Sequence, residues 1–352
     1  MKKAVFAFPI EGNPIDCVKM KNGRIHETYR VTTDTGAEYV LQCINQYVFR
    51  NVDAIMNNMR IVGSYLEKQG DGDTVAIRYL PTREGDSYLR NDKGEAWRCY
   101  RFVPHSISLL RPETEADLYQ CAKAYGRFLH ALRDLPAGSL EETIPDFHNT
   151  PKRLRQLQNA IEADLLSRCK GAWPEIRFAF SHKEQGCLLQ QLCEEGKLPL
   201  RVTHNDTKVS NVLLDETNRE AVCVIDLDTV MPGLSACDFG DAVRSGAVKA
   251  VEEEGEPERV SLDLGLFRAF TRGFLEACPS LTAAEREALP LGAYTMTLEL
   301  GVRYLIEYLT GDRYFTATDP EQNLRRARGQ FRLLRDMEQK WETMQRIARE
   351  NS

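Results

Sequence analysis

The chain has 352 residues, of which 42% are hydrophobic and 28% charged, a size that suits one two-lobed enzyme or two ordinary domains and excludes a small binding module. Its formal net charge is -6 and acidic and basic residues are interleaved, so no basic stripe is available to neutralise a nucleic-acid backbone. The apolar stretch before Pro9 is too short for a signal peptide, and no later run is long enough to span a bilayer, so neither nucleic acid nor membrane is an expected partner.

The ten cysteines are scattered without the spacing of a zinc site, as expected of buried thiols in a reducing, cytoplasmic location. In chain order, Arg24 to Thr33 and Glu38 to Cys43 are rich in β-branched and aromatic residues on either side of Asp34-Thr35-Gly36 and predict a hairpin. From Asn51 to Gln69, the spacing of Val52, Ile55, Met56, Met59, Val62 and Leu66 predicts a helix. Strands are expected at Thr74 to Tyr79 and Ala96 to Phe102, which gives a small mixed lobe of β-β-α-β-β order.

The pattern changes after Val103-Pro104. Thr114 can cap a helix whose apolar stripe runs Leu118, Cys121, Ala122, Tyr125, Phe128, Leu129 and Leu132. Leu154 to Leu166, Leu262 to Phe274, Tyr294 to Leu309 and Glu321 to Arg349 also read as helices, with an exposed connection at Val251 to Glu258. The expected fold class is α+β in two lobes, residues 1–103 β-rich and residues 104–352 mostly helical.

Between the helices lies a polar hairpin, Arg201 to Met231. Asn211 follows Asp206 by five residues, a strand runs from Val212 to Leu214, a turn at Glu216 to Asn218 returns the chain, and Asp226 ends the second strand. Such a hairpin delivers Asp206, Asn211 and Asp226 to one spot. Phosphoryl transfer from ATP needs a positioned hydroxyl relieved of its proton and a metal that neutralises phosphate charge. Asp206 can receive the proton, and Asn211 and Asp226 offer hard oxygen ligands suited to Mg²⁺.

His204-Asn205-Asp206-Thr207-Lys208-Val209-Ser210-Asn211, followed by Ile225-Asp226-Leu227-Asp228-Thr229-Val230-Met231-Pro232-Gly233, resembles the aminoglycoside phosphotransferase and choline kinase superfamily, and within it the N-acetylhexosamine 1-kinase branch. Tyr39 to Asn45 and Ile144 to Thr150 support the likeness, which extends over residues 15–330. The resemblance implies a protein-kinase-like fold, with Asp206 as catalytic base, Asn211 and Asp226 as metal ligands, Asp228 as a further carboxylate facing metal or substrate, and Lys208 near the transferred phosphoryl. It also implies that Asp238, in the triplet Asp238-Phe239-Gly240, braces the catalytic loop, because Asp226 already holds the metal position.

Lys21 to Tyr29 can cover the nucleotide phosphates, with Gly23 permitting the turn and Thr28 adding a hydroxyl. Phe102 and Val103 are expected at the adenine edge. Where a protein kinase carries a phosphate-binding lysine on its third strand, this chain has Gln42, which leaves Arg50, Lys19 and Lys208 as alternative cations. For the acceptor, the second lobe offers His148, Arg303 and Asp228 beside Asp206; Arg303 and Glu307 are also one helical turn apart, the spacing of a surface ion pair. The resemblance implies phosphorylation of N-acetylglucosamine or N-acetylgalactosamine at the anomeric hydroxyl. A kinase of another small alcohol (a hexose, choline or an amino alcohol) and a non-catalytic pseudokinase are the alternatives.

Overall fold

The computed structural model describes residues 3–20, 25–70, 75–249 and 259–351. Gly23, Arg24, Thr74 and the connection Val251 to Glu258 lie outside the described residues. The fold is α+β and two-lobed, a β-rich N-terminal region followed by a larger helical one, as in protein kinases.

A six-stranded antiparallel sheet builds the first lobe. It runs β1 (Pro14–Lys19), β2 (Glu27–Thr33), β3 (Glu38–Cys43), β6 (Ala96–Arg101) and β4 (Tyr79–Leu80), with β5 (Leu89–Arg90) also on β6. The expected hairpin is β2–β3, in which Thr28 faces Gln42 and Tyr29 faces Leu41. One face of the sheet is apolar and packs Tyr29, Val31, Tyr39, Leu41, Trp97 and Cys99 against Val5 and Phe8. The other carries α1 (Val52–Gln69), started by the Asn51 side chain accepting from Ala54 N and ended at Gly70, whose φ of 80° is a left-handed conformation glycine adopts without cost. Of the strand expected from Thr74 to Tyr79, only Tyr79 among the described residues joins a ladder, in β4; Ala76 instead makes a lone bridge to Val224 in the other lobe. Strand β1 was not expected, because its Ile15 and Val18 face solvent and no alternation marks it.

In the second lobe, Thr114 and Asp117 form a reciprocal capping box that starts α2 (Glu115–Ala131). Helices α3 (Thr150–Ala163), α4 (Trp173–Ser181) and α5 (Lys183–Glu194) follow, then α6 (Ser235–Gly246), α7 (Leu264–Ala277) and the long α8 (Ala283–Thr310). The expected tail helix is two, α9 (Gln322–Gln339) and α10 (Trp341–Glu350), interrupted at Lys340. Strands β9 (Val212–Asp215) and β10 (Ala221–Val224) make the expected hairpin, and β7 (Ser106–Ile107), just past the lobe connection, adds to its edge. Strand β8 (Arg201–Thr203) pairs with β11 (Met231–Gly233) and clamps the two ends of the loop region between them.

None of the described helices is long and apolar enough to cross a membrane. All ten cysteines are free thiols.

Candidate active site

The loop carrying the candidate catalytic residue Asp206 is the turn that leaves β8. Asn205 sits at φ 62°, a conformation that asparagine tolerates better than most residues, and its amide donates to Thr229 O at 3.0 Å. His204 is fully buried; its Nε2 bonds Ile225 O at 2.9 Å, and Tyr125 and Phe128 meet its ring edge-on. Nε2 therefore carries the proton and Nδ1 accepts from Asp206 N at 3.3 Å. Thr229 Oγ1 donates to His204 O, and Tyr125 Oη to Lys208 O. His204 is thus a structural tie between the loop and the end of β10.

Asp238 braces the same loop from below. Its two carboxylate oxygens accept from His204 N at 2.8 Å and Asn205 N at 2.7 Å, while its carbonyl accepts from Thr207 Oγ1. Burial pushes its pKa up, opposed by His204 and by the two backbone N–H groups. The triplet containing it belongs to helix α6. Phe239 fills an aromatic cluster with Phe267, Phe270 and Phe274, and a Cβ on Gly240 would collide with the Gly292 backbone of α8.

At the cleft, Asp206 Oδ2 accepts from Lys208 Nζ at 2.8 Å and from Asn211 Nδ2 at 3.2 Å. Asn211 Nδ2 also donates to Asp206 O, and Asn211 Oδ1 has no hydrogen-bond partner among the described residues. Desolvation works against the charge on Lys208, but the Asp206 carboxylate outweighs it and the pKa of Lys208 is raised. Asp226 follows β10 in a left-handed conformation, φ 63°. Burial, then the neighbouring Asp228 and Asp206 carboxylates, drive its pKa well above the usual range. Asp228 is 1% exposed. Burial opposes its charge, yet Arg98 and His26 hold its pKa far below the ordinary value.

Arg98 was not anticipated. Although fully buried in the middle of β6, it reaches Asp228 with two parallel bonds, Nη1 to Oδ1 at 2.8 Å and Nη2 to Oδ2 at 2.7 Å. An arginine between Trp97 and Cys99 in a strand was the available signal, since a buried guanidinium demands a carboxylate. His26 was also missed: its Nδ1 accepts from Asn45 N and its Nε2 faces Asp228 Oδ2 at 3.3 Å. Asn58 on α1 ties the lobes as well, donating to Val230 O and Glu141 O and accepting from Glu141 N.

Of the other residues singled out, Thr28 is buried and accepts from Gln42. Phe102 stacks under Arg30 at 4.2 Å, and Val103 O accepts from Ser106 Oγ at the lobe connection. Lys19 pairs with Glu27 in solvent. His148 has both ring nitrogens engaged, Nε2 with Asn205 O and Nδ1 with Glu299 Oε1, each at 3.0 Å. Arg303 makes no ion pair with Glu307, whose Oε2 instead accepts from Tyr314 N. Its guanidinium lies 5.3 Å from the Phe147 ring, 5.2 Å from Phe315 and 5.8 Å from Tyr314, and Phe147 in turn packs on His148.

The donor set fits a hard divalent cation. Burial, then the Asp228 and Asp206 carboxylates, push Asp226 toward its neutral form, and the amide oxygen of Asn211 has no hydrogen-bond partner among the described residues. His26, Asp226 and Asp228 also bring ligand atoms within 4.8 Å of one another, but both Asp228 oxygens are already committed to Arg98.

Comparison with known structures shows the same fold in other proteins. A microcompartment-associated aminopropanol kinase superposes with a TM-score of 0.60 at 16% identity, covering 97% of each chain. An aminoglycoside phosphotransferase from Alicyclobacillus acidocaldarius gives 0.59 at 16% identity, over 99% of this chain and 94% of that one. Choline kinase from Cryptosporidium parvum gives 0.55 at 14%, over 93% and 90%. A family model described as the phosphotransferase enzyme family matches residues 16–277, and the chain belongs to that family of small-molecule kinases.

Proposed function

We propose that the chain transfers the γ-phosphoryl group of ATP to the hydroxyl of a small acceptor bound over Asp206. The observation that carries this reading is the asymmetry of the Asp206 carboxylate. Oδ2 is held by Lys208 and Asn211, whereas Oδ1 has no partner among the described residues. That oxygen is free to orient the acceptor O–H and to take its proton as the new P–O bond forms. Asn211 Oδ1 and Asp226 would hold Mg²⁺, which when bound neutralises phosphate charge. Lys208 would follow the transferred phosphoryl group, and Thr28, Phe102 and Val103 would line the nucleotide.

Several similar structures are named for kinases of amino alcohols: aminopropanol, choline and ethanolamine. Their likeness favours a small alcohol as the general acceptor class. A second reading, an N-acetylhexosamine phosphorylated at its anomeric hydroxyl, is supported by Arg303. A guanidinium enclosed by three aromatic rings repels an ammonium group but suits a hydroxyl or acyl oxygen. The nearby carboxylates do not offset it by binding an amine: Asp146 is taken by Lys152 and Asn149, and Glu299 by His148 and Thr150.

Incubation with Mg·ATP and a panel of amino alcohols, aminoglycosides, hexoses and N-acetylhexosamines, followed by ADP release and phosphorus NMR, tests both readings. A sugar 1-phosphate whose formation is weakened by Arg303→Ala supports the second. Turnover restricted to amine-bearing alcohols excludes it and keeps the first. No turnover with any acceptor counts against both.

A further inference from the structure

Gln42 lies on the third strand, the element that carries a phosphate-binding lysine in protein kinases, and its surroundings explain why an amide stands there. Gln42 faces Arg98 across the β3–β6 ladder. Its Oε1 accepts from Arg98 Nε at 2.9 Å, and its Nε2 donates to Thr28 Oγ1 at 3.2 Å. A lysine has donors only; at this position it would set a second cation against the guanidinium and remove the acceptor that orients it.

Arg98 is closed in on its remaining sides by Met59 Sδ at 3.5 Å and by the Tyr79 ring, 4.6 Å from the guanidinium carbon. With Nε fixed by Gln42, its two terminal nitrogens point into the buried junction of the two lobes, where they meet Asp228. One continuous chain of polar contacts therefore runs from β2 (Thr28) through β3 (Gln42) and β6 (Arg98) to Asp228, two residues beyond Asp226. His26, just before β2, reaches the same carboxylate. A buried ion pair adds little stability compared with apolar packing of the same volume, but a two-pronged guanidinium–carboxylate pair fixes direction.

We propose that Arg98 is a positioning residue for phosphoryl transfer: by gripping Asp228 in the buried junction between the lobes it sets the small lobe against the loop that aims Asp226, with Gln42 orienting its guanidinium. The inference rests on the phosphotransferase reading of the site. It also assigns Asp228 to Arg98 rather than to the metal, so that Asp226 and Asn211 provide the coordinating oxygens.

The test compares wild type with Arg98→Lys, Arg98→Met, Gln42→Lys and the double variant Arg98→Met/Asp228→Asn. Calorimetry with Mg²⁺ and the non-hydrolysable analogue AMP-PNP gives nucleotide affinity without any acceptor; turnover with the acceptor found in the panel gives kcat and KM for ATP. Arg98→Met is expected to weaken Mg·AMP-PNP binding at least tenfold, Arg98→Lys to recover part of it, and Gln42→Lys to bind more weakly than wild type although it restores the lysine. The double variant, which leaves no unpaired buried charge, is expected to keep the thermal midpoint but not the affinity, and decides the matter if Arg98→Met alone does not fold.

Wild-type affinity and kcat in the double variant would make the pair merely structural and overturn the proposal. Tighter Mg·AMP-PNP binding by Arg98→Met would identify Asp228 as the metal ligand and overturn it too, as would Gln42→Lys matching wild type. A wild type that binds Mg·AMP-PNP but turns over no acceptor counts against the proposed function alone, because the calorimetric comparison still stands.

Discussion

Asn211 gives its amide nitrogen to two acceptors on one residue, the Asp206 carbonyl at 2.9 Å and Asp206 Oδ2 at 3.2 Å. This fixes the rotamer of the Asp206 carboxylate and the orientation of the amide at the same time. Asp206→Asn keeps the shape but removes the proton acceptor, and turnover should fall by about 10²- to 10⁴-fold, the usual contribution of a positioned base. Steady-state kinetics should show the loss in kcat, with KM for ATP changed only a few-fold. Unchanged kcat at saturating acceptor would remove Asp206 from that role.

The convergence of Asp206, Asp226 and Asp228 predicts a trade between stability and function. Without a cation, burial and then repulsion from the two neighbours disfavour the Asp226 carboxylate. Asp226→Asn should therefore raise the thermal midpoint of the metal-free protein while weakening Mg·ATP binding. Differential scanning fluorimetry with and without Mg·ATP checks both signs, and a lowered midpoint in EDTA would contradict the electrostatic account.

Local rules made much of this fold legible. The hairpin β2–β3, the helix capped by Asn51, the capping box at Thr114 and the hairpin β9–β10 each depend on residues close in the chain. Helix α8 was expected to begin at Tyr294, beyond Pro290. It begins instead after Thr282, whose hydroxyl and Glu285 cap it, and Pro290 lies inside the helix. Helices α4, α5 and α6 were not foreseen as elements. The carboxylates of the cleft were readable because their spacing within one loop region carries the chemistry. Arg98 was not, because its partner is 130 residues away and nothing local says which carboxylate it will meet.

Asp238 supplies a prediction that separates bracing from chemistry. It touches no expected substrate or metal position, yet holds the N–H groups of His204 and Asn205. Asp238→Ala leaves two buried donors unsatisfied, at about 1–3 kcal/mol each. Urea unfolding should show that loss, and kcat should fall because Asp206 is no longer aimed. If the midpoint dropped while kcat at a permissive temperature stayed at the wild-type value, the brace would matter for folding only.

The pair His148–Glu299 predicts a pH dependence of stability. Both ring nitrogens of His148 face acceptors, the Asn205 carbonyl and the Glu299 carboxylate, so the imidazole donates from both when protonated. Burial opposes that charge, but the hydrogen bond to Glu299 outweighs it and raises the pKa above the ordinary 6.5. The carboxylate of Glu299 is likewise opposed by burial, but His148 draws its pKa below the ordinary 4.5. A histidine with a raised folded-state pKa adds stability that is complete below the unfolded value and disappears as pH rises through the folded value. An acid with a lowered pKa adds stability above its unfolded value and loses it as pH falls through the folded one. The pair is therefore strongest between 4.5 and 6.5 and fades on the alkaline side as His148 loses its proton. His148→Gln should cost most stability in that window, with the difference from wild type shrinking towards pH 9. Thermal melts at a series of pH values read this directly; a gap that stayed constant or widened with rising pH would mean that the imidazole is neutral where it touches the catalytic loop.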